Sequence, residues 1–390
     1  MAGDVPPEES EAEGIIGAIQ YDAPRPQKKE FLPWHRPRKQ FVRERQWCDQ
    51  IGRLLDDLQL EGAPLKYLGL PGVDLLDLRC IHSKICEPRQ LRLRFLGFNS
   101  SANPQSPTQI ELNISLHEVR KLGFVDPISE VIGDDFRRVA NSESIAWKRT
   151  HHLGPYDVVN LDLCDGFAAQ PPGTLDDNHY NAMAQLLSLQ CRNKNPWLLL
   201  LTTRAGEGHV DAEVFTKLVQ RFLNNIANCA EFRQASGESF GIQNQEDVAA
   251  AVQTEDGLLR VFLTSLCKWL VGMAIGIVPP WRVELKSVVG YRVDHGAAHE
   301  DLISLALRFD PTFEPVDDAL DIANQEANVP DECELATKVL KRVANRRDVD
   351  QILAGDVVLN DQMVTATAEL LEVARYDVAA FHAWVAAGYA

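Results

Sequence analysis

The chain has 390 residues, of which 45% are hydrophobic, so it is long enough for one large α/β domain with extensions or for two domains. Its formal net charge of −17 at pH 7 argues against a general affinity for nucleic acids or anionic lipid surfaces. No uninterrupted apolar run reaches the roughly 18–20 residues that a membrane span needs. The longest candidate, residues 258–280, is interrupted by Arg260 and Lys268, so we expect a buried helix there and no membrane partner.

The N-terminal region combines an acidic tail with a basic stretch. Residues 1–27 are rich in Glu, Pro, Ala and Gly, which predicts a flexible tail, and they show no secretory signal. Residues 28–47, which we call the arm, interleave Arg and Lys with aromatic residues and continue into a helical pattern. The arm residues that we select as candidates for binding are Trp34, Arg36, Arg38, Lys39 and Arg43.

The arm admits two interpretations. Arg and Lys beside Trp could follow a phosphate backbone and stack on bases, as in proteins that bind single-stranded nucleic acid. The same cations could instead dock on an acidic surface, either of a partner protein or of this acidic chain itself. The overall charge favours protein docking over nucleic acid, and the C-terminal helices offer a second surface for a protein partner.

The eight cysteines are spread along the chain without a C-x-x-C pair, and the two that stand closest in sequence are Cys80 and Cys86. Without a secretory signal, this pattern predicts reduced thiols, a cytoplasmic protein and no zinc or other metal site.

Four short apolar runs follow one another, each ending in glycine or polar residues. In chain order they are 65–72, 91–99, 156–163 and 197–204, with a weaker run at 130–132. Helical patterns lie between them, and near-continuous apolar strands separated by helices predict a parallel sheet that is covered on both faces. We therefore predict a doubly wound, mostly parallel, Rossmann-like α/β sheet, which would bind ligands at the carboxyl ends of its strands.

The second half of the chain adds helices and a late pair of strands. Helical spacing of apolar residues predicts helices over 211–228 and 257–277, and alternation predicts an antiparallel pair at 281–291 and 301–309. The predicted parts of the chain are the tail (1–27), the arm with a lead-in helix (28–60), the sheet domain (61–312), and an acidic linker with a helical extension (313–390).

The residues at the strand ends carry the functional prediction. In chain order they are Gly69, Gly72, Asn99, Asp134, Asp135, Asn160, Asp162, Cys164 and Asp165. With these residues in this order, the chain resembles the class I S-adenosylmethionine-dependent methyltransferases over about residues 60–310. Residues 98–113 look like the stretch after the ribose-binding position in the nucleic-acid enzymes. Residues 159–166 look like the D-x-D-P-[FY]-G stretch of the tRNA guanine-N2 dimethyltransferases.

The resemblance implies S-adenosylmethionine as cofactor and a role for each of these residues. Gly69 and Gly72 would cradle the methionine part, Asn99 would meet the ribose, and Asp134 or Asp135 would lie near the adenine. Methyl transfer is an in-line displacement that depends on proximity and orientation, so no metal is required. The residues that would position the acceptor, a nucleic acid or a protein, are Asn160, Asp162, Cys164 and Asp165.

Three departures from the family pattern favour a second hypothesis. The turn has two glycines instead of three, no proline follows Asp162, and Asn99 replaces an acid, so its hydrogen bond lacks the strength that a charge adds. The second hypothesis is a catalytically inactive methyltransferase-like subunit that acts as a scaffold or sensor in a multi-protein assembly, for example in bacterial phage defence.

Overall fold

The computed structural model describes residues 29–58, 60, 62–102, 106–173, 176, 178–293, 299–312 and 328–389. The predicted tail, Lys28 of the arm and residues 313–327 of the predicted linker lie outside the described residues, as do residues 103–105 of the loop after Asn99.

One eight-stranded sheet runs through the described chain. The strands are β1 (Leu65–Gly69), β2 (Leu93–Phe98), β3 (Glu130–Ile132), β4 (Val158–Asp162), β5 (Trp197–Arg204), β6 (Trp281–Tyr291), β7 (Leu302–Pro311) and β8 (Arg347–Asp348). Their order across the sheet is β3-β2-β1-β4-β5-β7-β6-β8. The first five strands are parallel, and β7 is antiparallel to both β5 and β6. This is the Rossmann order 3-2-1-4-5-6 with the antiparallel strand β7 inserted between β5 and β6 and with β8 added beyond β6, so the predicted sheet and late strand pair are confirmed.

Helices connect the strands and close the chain. The α-helices of the described residues are α1 (Pro37–Val42), α2 (Asp49–Asp57), α3 (Leu76–Ile81), α4 (Glu87–Arg89), α5 (Pro107–Arg120), α6 (Ile145–Leu153), α7 (His179–Gln190), α8 (Ala212–Asn228), α9 (Ala230–Phe240), α10 (Gln245–Ala251), α11 (Glu255–Ile275), α12 (Glu332–Ala344), α13 (Val349–Gly355), α14 (Val357–Val373) and α15 (Val378–Ala386).

The central strands are apolar on both sides because helices cover both faces of the sheet. Successive residues of a strand point to opposite faces. Val158 and Leu198 therefore join one core, while Val159 and Leu199 join the other. The first of these cores lies under the helices near the chain ends, α1–α3, α5 and α13–α15, and the second lies under α6–α8, α11 and α12. The predicted C-terminal extension is thus divided between the two faces.

The arm is built into the core near the chain ends. Pro37 occupies the first position of α1, where its missing N–H leaves no hydrogen bond unmade. A π-helical stretch, Arg43–Cys48, then continues without a break into α2. Trp47 is fully buried, and its indole N–H donates to Oγ of Ser304 at 3.2 Å. The helix therefore begins earlier than the apolar pattern predicts, and it makes the arm part of the folded body.

The longest apolar helix, α11, lies inside the protein. It is long and apolar enough to cross a membrane, but 67% of its most apolar window is buried in the fold. Lys268, on this helix, is 8% exposed and pairs with Glu332 at 2.9 Å. The prediction of a buried helix is confirmed.

One pair of cysteines departs from the prediction of reduced thiols. Cys229 and Cys333 form a disulfide with a Cα–Cα distance of 5.8 Å. They are 104 residues apart in sequence, and only the packing of α9 against α12 brings them together. Spacing along the chain could not indicate this pairing.

Candidate functional site

The strand ends that carry the predicted site residues lie side by side at one edge of the sheet. Gly69 at the end of β1 pairs in register with Gly97 in β2 and with Asn160 in β4. The N–H of Asn99 donates to the carbonyl of Ile132, at the end of β3, at 3.0 Å. The predicted residues therefore share the carboxyl edge of four neighbouring parallel strands, and their functional roles stay predictions.

The glycine turn after β1 is closed by its own neighbours. A Cβ on Gly69 would lie 2.6 Å from Cε1 of Tyr67, so the tyrosine ring occupies the space beside this glycine. A Cβ on Gly97 would lie 2.8 Å from Cγ of Pro71, so the turn packs down on the end of β2. Around Gly72 there is open space. Only one of the two glycines therefore leaves its backbone open to a ligand.

The side chain of Asn99 is engaged by this turn. Its amide donates to the carbonyl of Pro71 at 3.0 Å, and its Oδ1 accepts from the N–H of Ser101 at 3.1 Å. The donor and the acceptor that would meet a ribose hydroxyl therefore hold the loops after β1 and β2 together.

The two carboxylates after β3 have arginine partners. Asp135 accepts from Nη2 of Arg137 at 2.6 Å, and Asp134 lies 3.5 Å from Nη1 of Arg138. Burial raises the pKa of Asp135, but the hydrogen bonds from Arg137 outweigh this effect and hold the pKa below its usual value. Both acids therefore act in the described structure as partners of the helical turn that follows them.

The end of β4 contacts the arm. Nζ of Lys39 lies 2.5 Å from Oδ1 of Asp162, and Lys39 is only 3% exposed. Burial lowers the pKa of Lys39, but the attraction of Asp162 is the strongest of several effects that outweigh it and hold the pKa above its usual value. Asp162 is therefore paired with a cation of the same chain, and its role in orienting a methyl acceptor stays a prediction.

A second buried ion pair lies next to the first. Nε of Arg43 is 2.7 Å from Oδ1 of Asp77, and the ammonium of Lys39 is 4.5 Å from the centre of the Trp47 ring. Asp77 stands in the first turn of α3, just after the glycine turn. We call Lys39, Arg43, Asp77 and Asp162 the edge cluster, because it joins the arm to the carboxyl ends of β1 and β4.

The remaining predicted residues after β4 show no activated nucleophile or base. Partial burial, followed by the charge of Asp162, raises the pKa of Cys164, which disfavours a reactive thiolate. Oδ1 of Asp165 lies 2.7 Å from Nδ1 of His209. Burial raises the pKa of Asp165, but the hydrogen bond with His209 outweighs this and keeps the carboxylate ionised. Asn160 is 1% exposed.

Four cations of the arm each pair with a different carboxylate. The pairs are Lys29 with Asp74, Arg38 with Asp350, Lys39 with Asp162, and Arg43 with Asp77. These acids follow the carboxyl ends of β1, β4 and β8, so the arm lies along the carboxyl edge of the sheet. The chain itself supplies the acidic surface on which the arm docks, which was one of the two interpretations of the arm.

Three of the arm residues selected as candidates for binding are buried within the chain. Arg36, Lys39 and Arg43 are at most 7% exposed, so they cannot contact a partner or a nucleic acid in this conformation. Their burial is tolerated because carboxylates of the same chain neutralise Lys39 and Arg43, while Arg36 donates to the carbonyl of Val293. Trp34 is 45% exposed and Arg38 is half-buried, and their roles in partner binding stay predictions.

Aromatic residues near the C-terminus hold the start of the arm. The ring of Phe31 stacks on Tyr376 at 5.8 Å and on Trp384 at 5.3 Å. The guanidinium of Arg36 lies 5.8 Å from the ring centre of Trp384 and 5.1 Å from that of Tyr389. Both ends of the described chain therefore meet beside the glycine turn.

A buried histidine continues this contact. The N–H of Leu32 donates to Nδ1 of His35 at 3.0 Å, and Nε2 lies 3.3 Å from the hydroxyl of Tyr376, which in turn donates to Asp74 at 2.8 Å. Burial and then the charge of Arg43 lower the pKa of His35 to about 4. His35 is therefore neutral at physiological pH.

Most of the residues that the resemblance assigns to S-adenosylmethionine have partners within the chain. The Asn99 amide bonds to the glycine turn, and Asp134 and Asp135 pair with arginines, whereas the space around Gly72 is open. The edge cluster lies at the ends of β1 and β4, and binding of the cofactor at this edge stays a prediction. Among the described residues, no group of three or more His, Cys, Asp or Glu side chains is arranged to hold a metal ion.

Sequence reasoning found Asp162 but missed the other three acids that receive the arm. Asp74 and Asp77 stand two and five positions after Gly72, and two acids around the start of a helix were a usable signal. Asp350 had no such signal, because only folding brings β8 and α13 beside the arm.

Comparisons with known proteins give one family and several distant similarities of fold, two of which are described below. A protein described as a class I S-adenosylmethionine-dependent methyltransferase from Listeria monocytogenes is 9% identical, with a TM-score of 0.33; the match covers 77% of this chain and 69% of that one. A modification subunit of a type I restriction enzyme from Vibrio vulnificus is 12% identical, with a TM-score of 0.31; that match covers 74% of this chain and 46% of that one. Similarity of this degree identifies neither a substrate nor an activity, and no curated protein matches the chain. The model of the PP_RS20740-like family matches residues 28–386, and the chain therefore belongs to the PP_RS20740-like family.

Proposed function

We propose that this protein is a methyltransferase-like subunit that works without S-adenosylmethionine, as a scaffold in a protein assembly. The observation that carries the proposal is the buried ion pair between Lys39 and Asp162, at the strand edge where the resemblance places the cofactor and the methyl acceptor. With Arg43 and Asp77 beside it, four side chains of the chain itself lie at the ends of β1 and β4.

The free energy needed to displace the arm disfavours binding of a cofactor at this edge. Breaking a buried ion pair by removing one partner costs about 3–5 kcal/mol. A ligand that displaced the arm would have to offset this loss, which corresponds to more than about a hundredfold in affinity. Displacement would also expose Phe41, Val42 and Trp47, which lie in the core.

Charge disfavours the cofactor as well. The sulfonium of S-adenosylmethionine is a cation, and the edge cluster already places two cations, Lys39 and Arg43, at this position. Like charges at short range repel strongly where little water screens them. Asp77 and Asp162, which could attract the sulfonium, are neutralised by these two residues.

Calorimetry tests the cofactor part of the proposal. The full chain is titrated with S-adenosylmethionine and with S-adenosylhomocysteine to millimolar concentration, and its thermal unfolding is followed with and without each compound. We expect no saturable heat and no rise in Tm, while a competent methyltransferase measured in parallel shows both. Saturable binding of either compound at micromolar concentration would contradict the proposal.

Native mass spectrometry tests the scaffold part. The tagged chain is purified from its own cells at native expression, and the mass of each complex is measured. We expect a complex of defined stoichiometry that contains a second polypeptide. Recovery of the chain only by itself, or only with further copies of itself, would refute a scaffold role.

A further inference from the structure

A cleft that the proposed function does not use lies on the helical layer. It is lined by the π-helical stretch Arg43–Cys48, by α2, by a second π-helical stretch, His82–Cys86, and by α4, and its volume is about 370 Å³. None of the edge-cluster residues lines it. A volume of this size falls at the lower end of the range for small-molecule sites, about 300–1,000 Å³.

The cleft is cationic in a strongly acidic protein. Its cations are Arg45, Arg53, Lys84 and Arg89. Lys84 pairs with Glu44 at 3.0 Å and Arg89 with Asp56 at 3.5 Å, so two of the three carboxylates that line the cleft are neutralised. The third, Asp49, is exposed.

Two of the cations are available to a ligand. Arg45 and Arg53 are exposed, and within the described ranges of the chain neither forms an ion pair or a side-chain hydrogen bond. A guanidinium presents a planar fork of N–H donors that matches the oxygens of a phosphate group.

A glycine shapes the floor of the cleft. Gly52 stands inside α2, where a glycine is less favourable than an alanine. A Cβ at this position would lie 3.4 Å from Nη2 of Arg89, an ordinary contact distance, so the guanidinium of Arg89 packs directly against the helix here. The floor is otherwise made by Cys48 and Ile85, which offer little apolar surface to a ligand.

We propose that this cleft binds a compact phosphate-bearing anion. Arg45 and Arg53 donate to its oxygens, Arg89 contributes a third guanidinium from above Gly52, and Lys84 adds a point charge. The charged lining recognises the anionic group and leaves the rest of the ligand outside. A long nucleic acid is disfavoured, because the net charge of −17 repels a polyanion that extends beyond the cleft.

The test is calorimetric titration of the full chain at low ionic strength with inorganic phosphate, pyrophosphate and ATP. The three probes separate a free phosphate group from a nucleotide. We expect saturable binding at one site, tighter for pyrophosphate than for phosphate. R45Q and R53Q each remove a charge-assisted hydrogen-bond donor, and we expect each to weaken binding at least about tenfold.

Two further variants complete the test. R342Q removes an exposed arginine on α12 that does not line the cleft. The affinity of this variant for pyrophosphate should stay within about twofold of that of the parent chain, because only cleft arginines donate charge-assisted hydrogen bonds to the anion. G52A adds a methyl group at ordinary contact distance from Arg89 without changing any charge, so it should leave the affinity within about twofold of the parent chain while Tm is retained or raised. No saturable binding of any probe at millimolar concentration would overturn the proposal, and so would equal affinity of R45Q, R53Q and the parent chain. The outcome is independent of the cofactor titration, because the two sites share no residue.

Discussion

The ammonium of Lys39 and the carboxylate of Asp162 form an ion pair inside the protein, although the arm residue and the strand residue are 123 positions apart in sequence. The pair binds the N-terminal helix to the end of β4. We expect K39M to lower the free energy of unfolding by about 3–5 kcal/mol, because it leaves an uncompensated carboxylate in a partly buried site. Urea denaturation monitored by circular dichroism measures this loss.

A surface ion pair provides the matched control. Lys217 and Glu213 lie 2.8 Å apart on α8, and both side chains are 62% exposed. K217M makes the same chemical change and should alter stability by no more than about 0.5 kcal/mol, since water screens exposed pairs. Equal effects of the two substitutions would contradict the role assigned to the edge cluster.

The two glycines of the turn after β1 should respond differently to alanine. In G69A the new methyl group would lie 2.6 Å from the buried ring of Tyr67, which must then shift, so we expect a loss of about 1–3 kcal/mol. In G72A the methyl group meets open space, and we expect a change within about 0.5 kcal/mol. Chemical denaturation measures the free energy of unfolding of both variants. A similar decrease in the two would mean that Tyr67 does not close the turn.

Local sequence patterns could predict the sheet, because a strand that is buried on both faces is an uninterrupted apolar run. Leu198 to Leu201 are apolar without interruption since both faces of β5 are covered, whereas buried and partly exposed residues alternate over the first half of β6. The strand ends could be located for the same reason, because polar residues begin where the apolar runs stop.

The state of the site could not be predicted in this way, because it depends on contacts between distant segments. The cations and rings of the arm have the same composition whether they face solvent or dock on Asp77 and Asp162. The arm docks on the chain because α1 and the π-helical stretch after it pack against the sheet. Phe41 and Trp47 enter the core there. The same reasoning applies to Cys229 and Cys333, whose pairing follows from helix packing.

A buried carboxylate before β4 should make stability depend on pH. Oδ2 of Asp157 accepts from the N–H of Lys66 at 2.8 Å, and burial raises the pKa of Asp157 to about 6. The protonated carboxyl of Asp157 is compatible with burial, but the ionised form destabilises the folded state. The stability that the protonated form provides is therefore lost as the pH rises from about 4 to 6. D157N keeps an acceptor oxygen without the charge and should be about 1–3 kcal/mol more stable than the parent chain at pH 8.

The control for this substitution is an exposed aspartate. D361N on α14 should leave stability at pH 8 within about 0.5 kcal/mol of the parent chain. Urea titrations at pH 4, 6 and 8 supply the comparison. A D157N variant that is less stable than the parent chain at pH 8 would show that the ionised carboxylate is needed by the fold.

The buried imidazole of His35 should act in the opposite direction over a similar range. Burial lowers its pKa to about 4, while Arg43 and Lys29 oppose a further positive charge and Asp74 favours it. The stability that neutral His35 provides is fully present above about pH 6.5, the unfolded value, and is lost as the pH falls towards 4. H35Q removes this loss, so the stability of the parent chain minus that of H35Q should fall by about 2 kcal/mol between pH 7 and pH 5.

The difference between the two chains isolates His35 from Asp157, which is present in both. H152Q, which replaces an exposed histidine on α6, serves as the control because it removes no buried imidazole. If the difference in free energy of unfolding between the parent chain and H35Q is the same at pH 5 and pH 7, protonation of His35 does not destabilise the fold.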